Sequence, residues 1–386
     1  MPTSAVVFPG LVDTHVHVNE PGRTEWEGFQ TASAAAIAGG VTTIVDMPLN
    51  SIPATTTAAA LETKRAAARV ATVNVEFWGG VVPGNAGELD ALADAGVRGF
   101  KCFLSPSGVD EFPHVSEGDL RIALPILARR GLPLLVHAES PPALREPATG
   151  ANPRRYETWL STRPQLAETA AIALLVALSR EFRAHVHIVH LASGEALPLL
   201  REARAEGLPL TVETCPHYLM FSAEGIADGA TMFKCAPPIR DAANRDALWR
   251  GLEDGTIDLI ATDHSPCPPS MKGDEDFLAA WGGIASLGLE LPVMATLAAA
   301  RGIALERLGQ WLCTAPARLA GLTDRGVIAP GMRADLVVWR PDAEFAVQSG
   351  HLLHRHKRTP YEGWRLQGRV VETYIGGDLV YREHAG

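Results

Sequence analysis

His15 and His17 stand two residues apart in Leu-Val-Asp-Thr-His-Val-His-Val-Asn-Glu, residues 11–20. The stretch is apolar and β-branched and runs into an Asn-Glu-Pro-Gly turn, the pattern of a strand and its end. Side chains two apart on a strand share a face, so the two imidazoles form a natural pair of metal ligands. Comparable groups close later apolar stretches: Lys101 in Gly-Phe-Lys-Cys-Phe-Leu-Ser, His137 in Leu-Val-His-Ala-Glu, His190 in His-Ile-Val-His and Asp263 in Thr-Asp-His-Ser-Pro. Singly, each has an ordinary explanation. A histidine at a strand end is commonly a hydrogen-bonded structural residue, a lysine can run its charge to the rim, and an aspartate can cap a helix. Four histidines, one lysine and one aspartate at the same end of five parallel strands would be a rare accident.

The lysine decides which chemistry the set suits. An ammonium inside a metal site would be repelled by the cations. A neutral amine that has reacted with CO₂ becomes a carbamate, an anionic two-oxygen ligand able to bridge two cations. The implied site holds two divalent metals roughly 3.5–4 Å apart around a bridging hydroxide. The metals would lower the pKa of water and polarise a carbonyl. Asp263 would serve as ligand and as catalytic proton shuttle, from the hydroxide to a leaving nitrogen.

Positioning these groups takes a regular alternation of elements. Strands are expected at residues 11–20, 41–47, 73–82, 99–105, 134–139, 185–192, 208–215 and 258–262. Helices are expected at 26–38, 57–69, 86–95, 117–130, 164–182, 195–205 and 242–252, several closed by glycine. Further helices are expected at 286–300 and 305–312. Eight strands each followed by a helix or long loop predict an α/β fold with a parallel sheet, a TIM-like (β/α)8 barrel over residues 10–325. No Gly-rich dinucleotide turn follows an early strand, which weakens a doubly wound alternative. From Gly326 onward short strands and a Gly-Gly-Asp turn predict a small β appendage, residues 1–9 together with 326–386.

A net charge of −10 without a long basic run argues against nucleic acid as a partner. The five cysteines are odd in number, widely spaced and free of a C-x-x-C pair, which points away from disulfides and cysteine-bound zinc and toward a reducing, cytoplasmic setting. Neither a signal peptide nor a membrane-spanning run is expected.

The motifs Asp13-Thr-His-Val-His17, Gly99-Phe-Lys-Cys-Phe103, Leu135-Val-His-Ala-Glu139, His187-Ile-Val-His190, Glu213-Thr-Cys-Pro-His-Tyr218 and Thr262-Asp-His-Ser-Pro266 resemble those of the amidohydrolase superfamily. Within it they are similar to the cyclic amidohydrolases: dihydroorotases, hydantoinases and allantoinases. The resemblance runs from about Pro9 to the C-terminus. It implies a binuclear centre with His15, His17 and Asp263 on one metal, His137 and His190 on the other, and N6-carboxylated Lys101 between them. It also implies zinc, or cobalt, manganese or iron, as the two metals, a small-molecule substrate and a homotetramer. Relatives place several strands of a small β-sandwich before the first barrel strand, whereas here only Met1–Pro9 precede it. The appendage is therefore expected to be shortened at its N-terminal side.

Dihydroorotases carry an arginine two residues beyond the histidine pair to grip a carboxylate. Asn19 stands there, and a neutral amide cannot make that charge-assisted contact. The stretches Asp46-Met-Pro-Leu-Asn-Ser51, Lys234-Cys-Ala-Pro-Pro-Ile-Arg-Asp241, Asp263-His-Ser-Pro-Cys-Pro-Pro269 and Trp281-Gly-Gly283 are most similar to allantoinases. The implied activity is opening of the hydantoin ring of allantoin to allantoate, in purine (ureide) catabolism. A hydantoinase or dihydropyrimidinase is the next reading. A non-catalytic scaffold of the same fold is the remote one, disfavoured because all six metal-binding residues are present. Candidate substrate contacts are Asn19, Asn50, His217, Trp281 and Gly283, the last two in a loop after the eighth strand that could form a lid. His264 is expected to orient Asp263 from behind.

Overall fold

The structure is a computed structural model describing residues 4–273 and 275–383. Residues 1–3 and 384–386 of the expected appendage, and residue 274 within the expected barrel, lie outside the described residues. Among the described residues thirteen strands are formed: β1 Val6–Pro9, β2 Leu11–Val16, β3 Val41–Asp46, β4 Asn74–Phe77, β5 Gly79–Gly80, β6 Phe100–Phe103, β7 Leu134–His137, β8 Val186–Ile188, β9 Leu210–Thr214, β10 Leu259–Ile260, β11 Leu336–Ala346, β12 Arg365–Ile375 and β13 Asp378–Arg382. Strands β2 to β10 are parallel, in one run β2-β3-β4 and another β5-β6-β7-β8-β9-β10. The two runs join through the chain itself between β4 and β5, and Val16 bridges His264 in parallel to close the ring. The α/β barrel expected from the alternation of elements is thus formed.

Strand composition follows from this closure. A barrel strand has helices outside and side-chain layers inside, so both faces are dry. Every residue of β2 and β3 is buried, the polar Asp13, Thr14, Thr42 and Thr43 included. The helix Phe29–Ala38 behind β2 ends at Gly39, where a Cβ would stand 2.8 Å from the Gly288 backbone. Glycine is required there for close helix approach.

The third barrel strand, expected as one run over 73–82, is split. Trp78 interrupts it, and its indole N–H donates to Thr14 O at 2.8 Å. As a result β4 pairs with β3, and β5 pairs with β6. Most other barrel strands are shorter than expected, β8 forming only Val186–Ile188 of 185–192 and β10 only Leu259–Ile260 of 258–262.

Outside the barrel, β1, β11, β12 and β13 form an antiparallel sheet in that order. Of the expected sandwich, the described residues supply this one sheet. Val6–Pro9 pairs with Leu336–Trp339, so segments from both ends of the chain meet in it. Thr373 donates its hydroxyl to Ile37 O at 2.6 Å, tying β12 to the helix Phe29–Ala38. No helix among the described residues is long and apolar enough to cross a membrane.

Candidate metal centre and active site

His15, His17, Lys101, His137, His190 and Asp263 converge at the carboxyl ends of the barrel strands. His15 lies in β2 and Lys101 in β6, and His137 ends β7. His17 is one residue past β2, His190 two past β8 and Asp263 three past β10. All six are buried. His190 and Asp263 have left-handed backbones, φ 38° and 47°. Such conformations are costly for residues with a Cβ and persist only where surrounding structure enforces them. Here they belong to the turns by which strands leave the barrel.

The donor atoms fall into two groups. Asp263 Oδ1 lies 3.2 Å from His15 Nε2 and 3.3 Å from His17 Nε2. His137 Nδ1 lies 3.0 Å from His190 Nε2. The groups are close, with the His15 and His190 ring centroids 5.4 Å apart. His15, His190 and Asp263 offer ligand atoms all within 4.8 Å of one another. Lys101 acts electrostatically on His17, His137 and His190, and so on both groups. Its Nζ is buried and has no hydrogen-bond partner among the described residues, standing 4.9 Å from the Phe103 ring centre.

Burial governs the protonation of the set. It pushes His17, His137 and His190 below the usual imidazole range, and a neutral imidazole keeps the lone pair that a metal requires. Burial also lowers Lys101 to about 8, although Glu213 and Asp263 pull the other way. Burial alone would raise Asp263, but the His15, His17 and His217 imidazoles hold it down at about 2. His17, His137 and His190 therefore offer neutral imidazoles beside an ionised Asp263 carboxylate, which suits hard or borderline divalent cations.

Other buried groups orient the donors. Glu213, in β9, accepts from His15 Nδ1–H, from His187 Nε2–H at 3.0 Å and from the His190 backbone N–H at 3.2 Å. Fixing the His15 proton on Nδ1 leaves Nε2 free on the Asp263 side. Glu139 does the same for His137, accepting from Nε2–H at 2.7 Å so that Nδ1 faces His190. Arg163 in turn pairs with Glu139. Asp13 accepts from His15 N–H at 3.1 Å, from Thr262 N–H at 3.2 Å and from the Thr262 hydroxyl, strapping the first strand to the eighth. No role for Glu213, Glu139 or Asp13 was assigned from the sequence, although each lies in a quoted motif. An acidic residue inside an otherwise apolar strand is the signal that could have found them.

The site opens into a cavity of about 470 Å³. Asn50 and Trp281 line it, while Asn19, His217 and Gly283 are not among its lining residues. Asn19 is buried, its Nδ2 3.5 Å from Pro266 O. His217 is buried close enough to Asp263 to act on its charge, and neither of its ring nitrogens has a partner among the described residues. A Cβ on Gly283 would lie 2.3 Å from Ser265 O, so glycine there serves close backbone packing. Asn50 does more than line the wall. Its amide nitrogen is placed 3.3 Å from His17 Nδ1, while its carbonyl oxygen is buried without a partner. Exchanging the two ends of the amide would let that oxygen accept from Nδ1–H and free Nε2 for a metal.

His264 does not orient Asp263. Its Nδ1 accepts from the Ser286 and Leu287 backbone N–H groups at 3.0 and 3.2 Å, and its Nε2 faces Glu27 at 3.5 Å. Its neighbour in sequence turns into the barrel mouth, and it turns away.

A closed parallel barrel with buried histidines, a lysine and an aspartate gathered at its carboxyl mouth matches the Amidohydrolase family over residues 6–380, and the chain belongs to it. Enzymes of this family depend on two metal ions. The chain is 52% identical over 376 residues to an allantoinase of Streptomyces avermitilis, covering 97% of this chain and 84% of that protein. It is 47% identical to an allantoinase of Arabidopsis thaliana, with 98% and 78% covered. Among solved structures, an L-hydantoinase (dihydropyrimidinase) from Arthrobacter aurescens superposes with a TM-score of 0.92 at 31% identity, over 97% of this chain and 85% of that one.

Proposed function

We propose that this protein is an allantoinase, a binuclear cyclic amidohydrolase that opens the hydantoin ring of allantoin to allantoate. The observation that carries the reading is the near full-length similarity to allantoinases at 52% and 47% identity, joined to an intact donor set at the barrel mouth. His15, His17 and Asp263 would hold one divalent cation and His137 and His190 the other. Lys101, buried without a partner, would bridge them as its carbamate. Zinc suits the donor set, and cobalt, manganese or iron are also accommodated. When bound, the metals lower the pKa of water and polarise the scissile carbonyl.

The protein's own groups supply the rest. Asp263 takes the proton of the attacking water and delivers it to the ring nitrogen as the C–N bond breaks. Ring opening then yields the carboxylate of allantoate and a protonated nitrogen on its second ureido group. The cavity supports an uncharged substrate. Its two cationic side chains are already engaged, Arg163 with Glu139 and Lys234 with the carbonyl oxygens of Leu278 and Ala280. The charge of each is thus already met by protein acceptors, which disfavours the substrate carboxylate that a dihydroorotase would bind. The Asn19 argument against dihydroorotate is superseded, because Asn19 does not line the cavity.

The similarity to hydantoinase structures favours hydantoins with other 5-substituents as a second reading. Metal-replete, bicarbonate-treated enzyme should release allantoate from allantoin and turn over 5-alkyl hydantoins and dihydrouracil far more slowly. Preference for the alkyl hydantoins would replace the first reading with the second. A cytoplasmic homotetramer is part of the proposal, and sedimentation of the purified enzyme tests the assembly.

A further inference from the structure

Two lysines apart from the metal donors are buried with no carboxylate in contact among the described residues. Lys234 and Lys272 are each about 5% exposed. Lys234 Nζ donates to Leu278 O at 2.9 Å and to Ala280 O, and stands 4.3 Å from the centre of the Trp159 ring. Lys272 Nζ donates to Lys234 O at 3.0 Å and Thr231 O at 3.2 Å. The stitching is reciprocal: the Thr231 hydroxyl donates to Lys272 O, Gly283 N–H to Lys234 O at 3.0 Å, and Trp281 N–H to Met271 O at 2.8 Å. Two ammonium groups thus bind backbone carbonyls from two segments distant in sequence.

What they hold in place is one wall of the cavity. Leu278, Ala279, Ala280, Trp281 and Gly282 all line it, facing the histidine cluster. None of the five carries a charge, so this wall can address a substrate only through shape, backbone groups and the Trp281 indole. Trp281 Nε1–H is buried and has no partner among the described residues, while its ring stands edge-on to Trp26 at 4.8 Å. Trp281 lines the cavity, and a carbonyl oxygen of a ligand seated against its ring edge would supply the partner this donor lacks, an unmade bond being costly. The ureido arm of allantoin offers one, and hydantoin itself has no such arm.

We propose that Lys234 and Lys272 are positioning residues that staple the wall Leu278–Gly282 and so set the enzyme's preference for a ureido-bearing ring. The selectivity half of this rests on the allantoinase reading, and the staple half does not. An ammonium suits each position because it must donate to two carbonyls at once, Lys234 to Leu278 O and Ala280 O and Lys272 to Thr231 O and Lys234 O. Methionine preserves the apolar stem and removes the donors.

The test compares Lys234→Met and Lys272→Met with Lys234→Arg as the conservative rescue, all checked for wild-type metal content. Chymotryptic cleavage after Phe277, Leu278 or Trp281 should accelerate at least about tenfold in both methionine variants. It should return toward the wild-type rate in Lys234→Arg. For turnover, a displaced wall should cost roughly tenfold to a hundredfold in kcat/KM for allantoin, chiefly through KM, with a smaller loss for hydantoin. Unchanged proteolysis in both methionine variants overturns the staple. Faster proteolysis with equal losses on the two substrates overturns the selectivity role. If the wild-type enzyme does not open allantoin at all, the allantoinase reading fails, and proteolysis alone still judges the staple.

Discussion

Replacing Glu213 by glutamine keeps the shape of the residue and removes one property, its ability to accept from every direction. The carboxylate is fully buried and receives three donors: the His15 ring, the His187 ring and the His190 backbone. Burial works against its charge, yet the His15 and His187 interactions hold it well below the usual carboxylate range. A glutamine has one acceptor oxygen and one NH2. If the NH2 faces His15, the imidazole must move its proton to Nε2, the atom 3.2 Å from Asp263, and lose the lone pair offered there. If it faces His187, that ring must shift its proton toward Thr211, whose hydroxyl is 2.8 Å from Nδ1, and His15 loses a charged partner. Either way His15 becomes a poorer ligand. Partners of this kind are typically worth tenfold to a hundredfold in metal affinity, or about 1.4–2.8 kcal/mol. Chelator competition followed by metal analysis should show a loss of that size, with turnover partly restored by excess metal. A Glu213→Gln enzyme with wild-type metal affinity and turnover would refute the reasoning.

Three further outcomes are expected. Lys101→Ala should abolish activity, and short carboxylic acids should restore part of it by occupying the place of the carbamate; failure of every such acid alongside normal metal content would remove the bridging role. Asp263→Asn should lower kcat by roughly a hundredfold or more while the fold persists by circular dichroism, and a near wild-type rate would exclude it from proton transfer. His354 is almost wholly buried and held at about 4, first by burial and then by the nearby His264. The unfolded chain therefore binds the extra proton first, and stability present above about pH 6.5 is lost as pH falls toward 4. That loss is about 3 kcal/mol at most. The His354→Gln variant should show a flatter fall in melting temperature over that interval, and a parallel pH dependence would contradict the assignment.

The alternation of elements and the residues closing each strand were legible in the sequence, because both follow from short-range periodicity. A buried parallel strand must be apolar on both faces, and a polar residue at its end stands out against that run. His15, His17, Lys101, His137, His190 and Asp263 were marked in this way, and the barrel's parallel order brings them to one mouth. Side-chain direction beyond the strand ends was not legible. Asp263 and His264 are neighbours, yet one turns into the mouth and the other toward Glu27, through a left-handed backbone at Asp263 that no local pattern announces. Glu213 reaches His15 across 198 residues of chain, Asn50 serves His17 besides lining the wall, and Asn19 faces Pro266 rather than the cavity. Local sequence thus determined which groups exist and on which strands they lie. Only tertiary packing decided which imidazole nitrogen keeps its lone pair and which polar residues line the cavity, because both depend on hydrogen bonds between segments brought together by closure of the barrel.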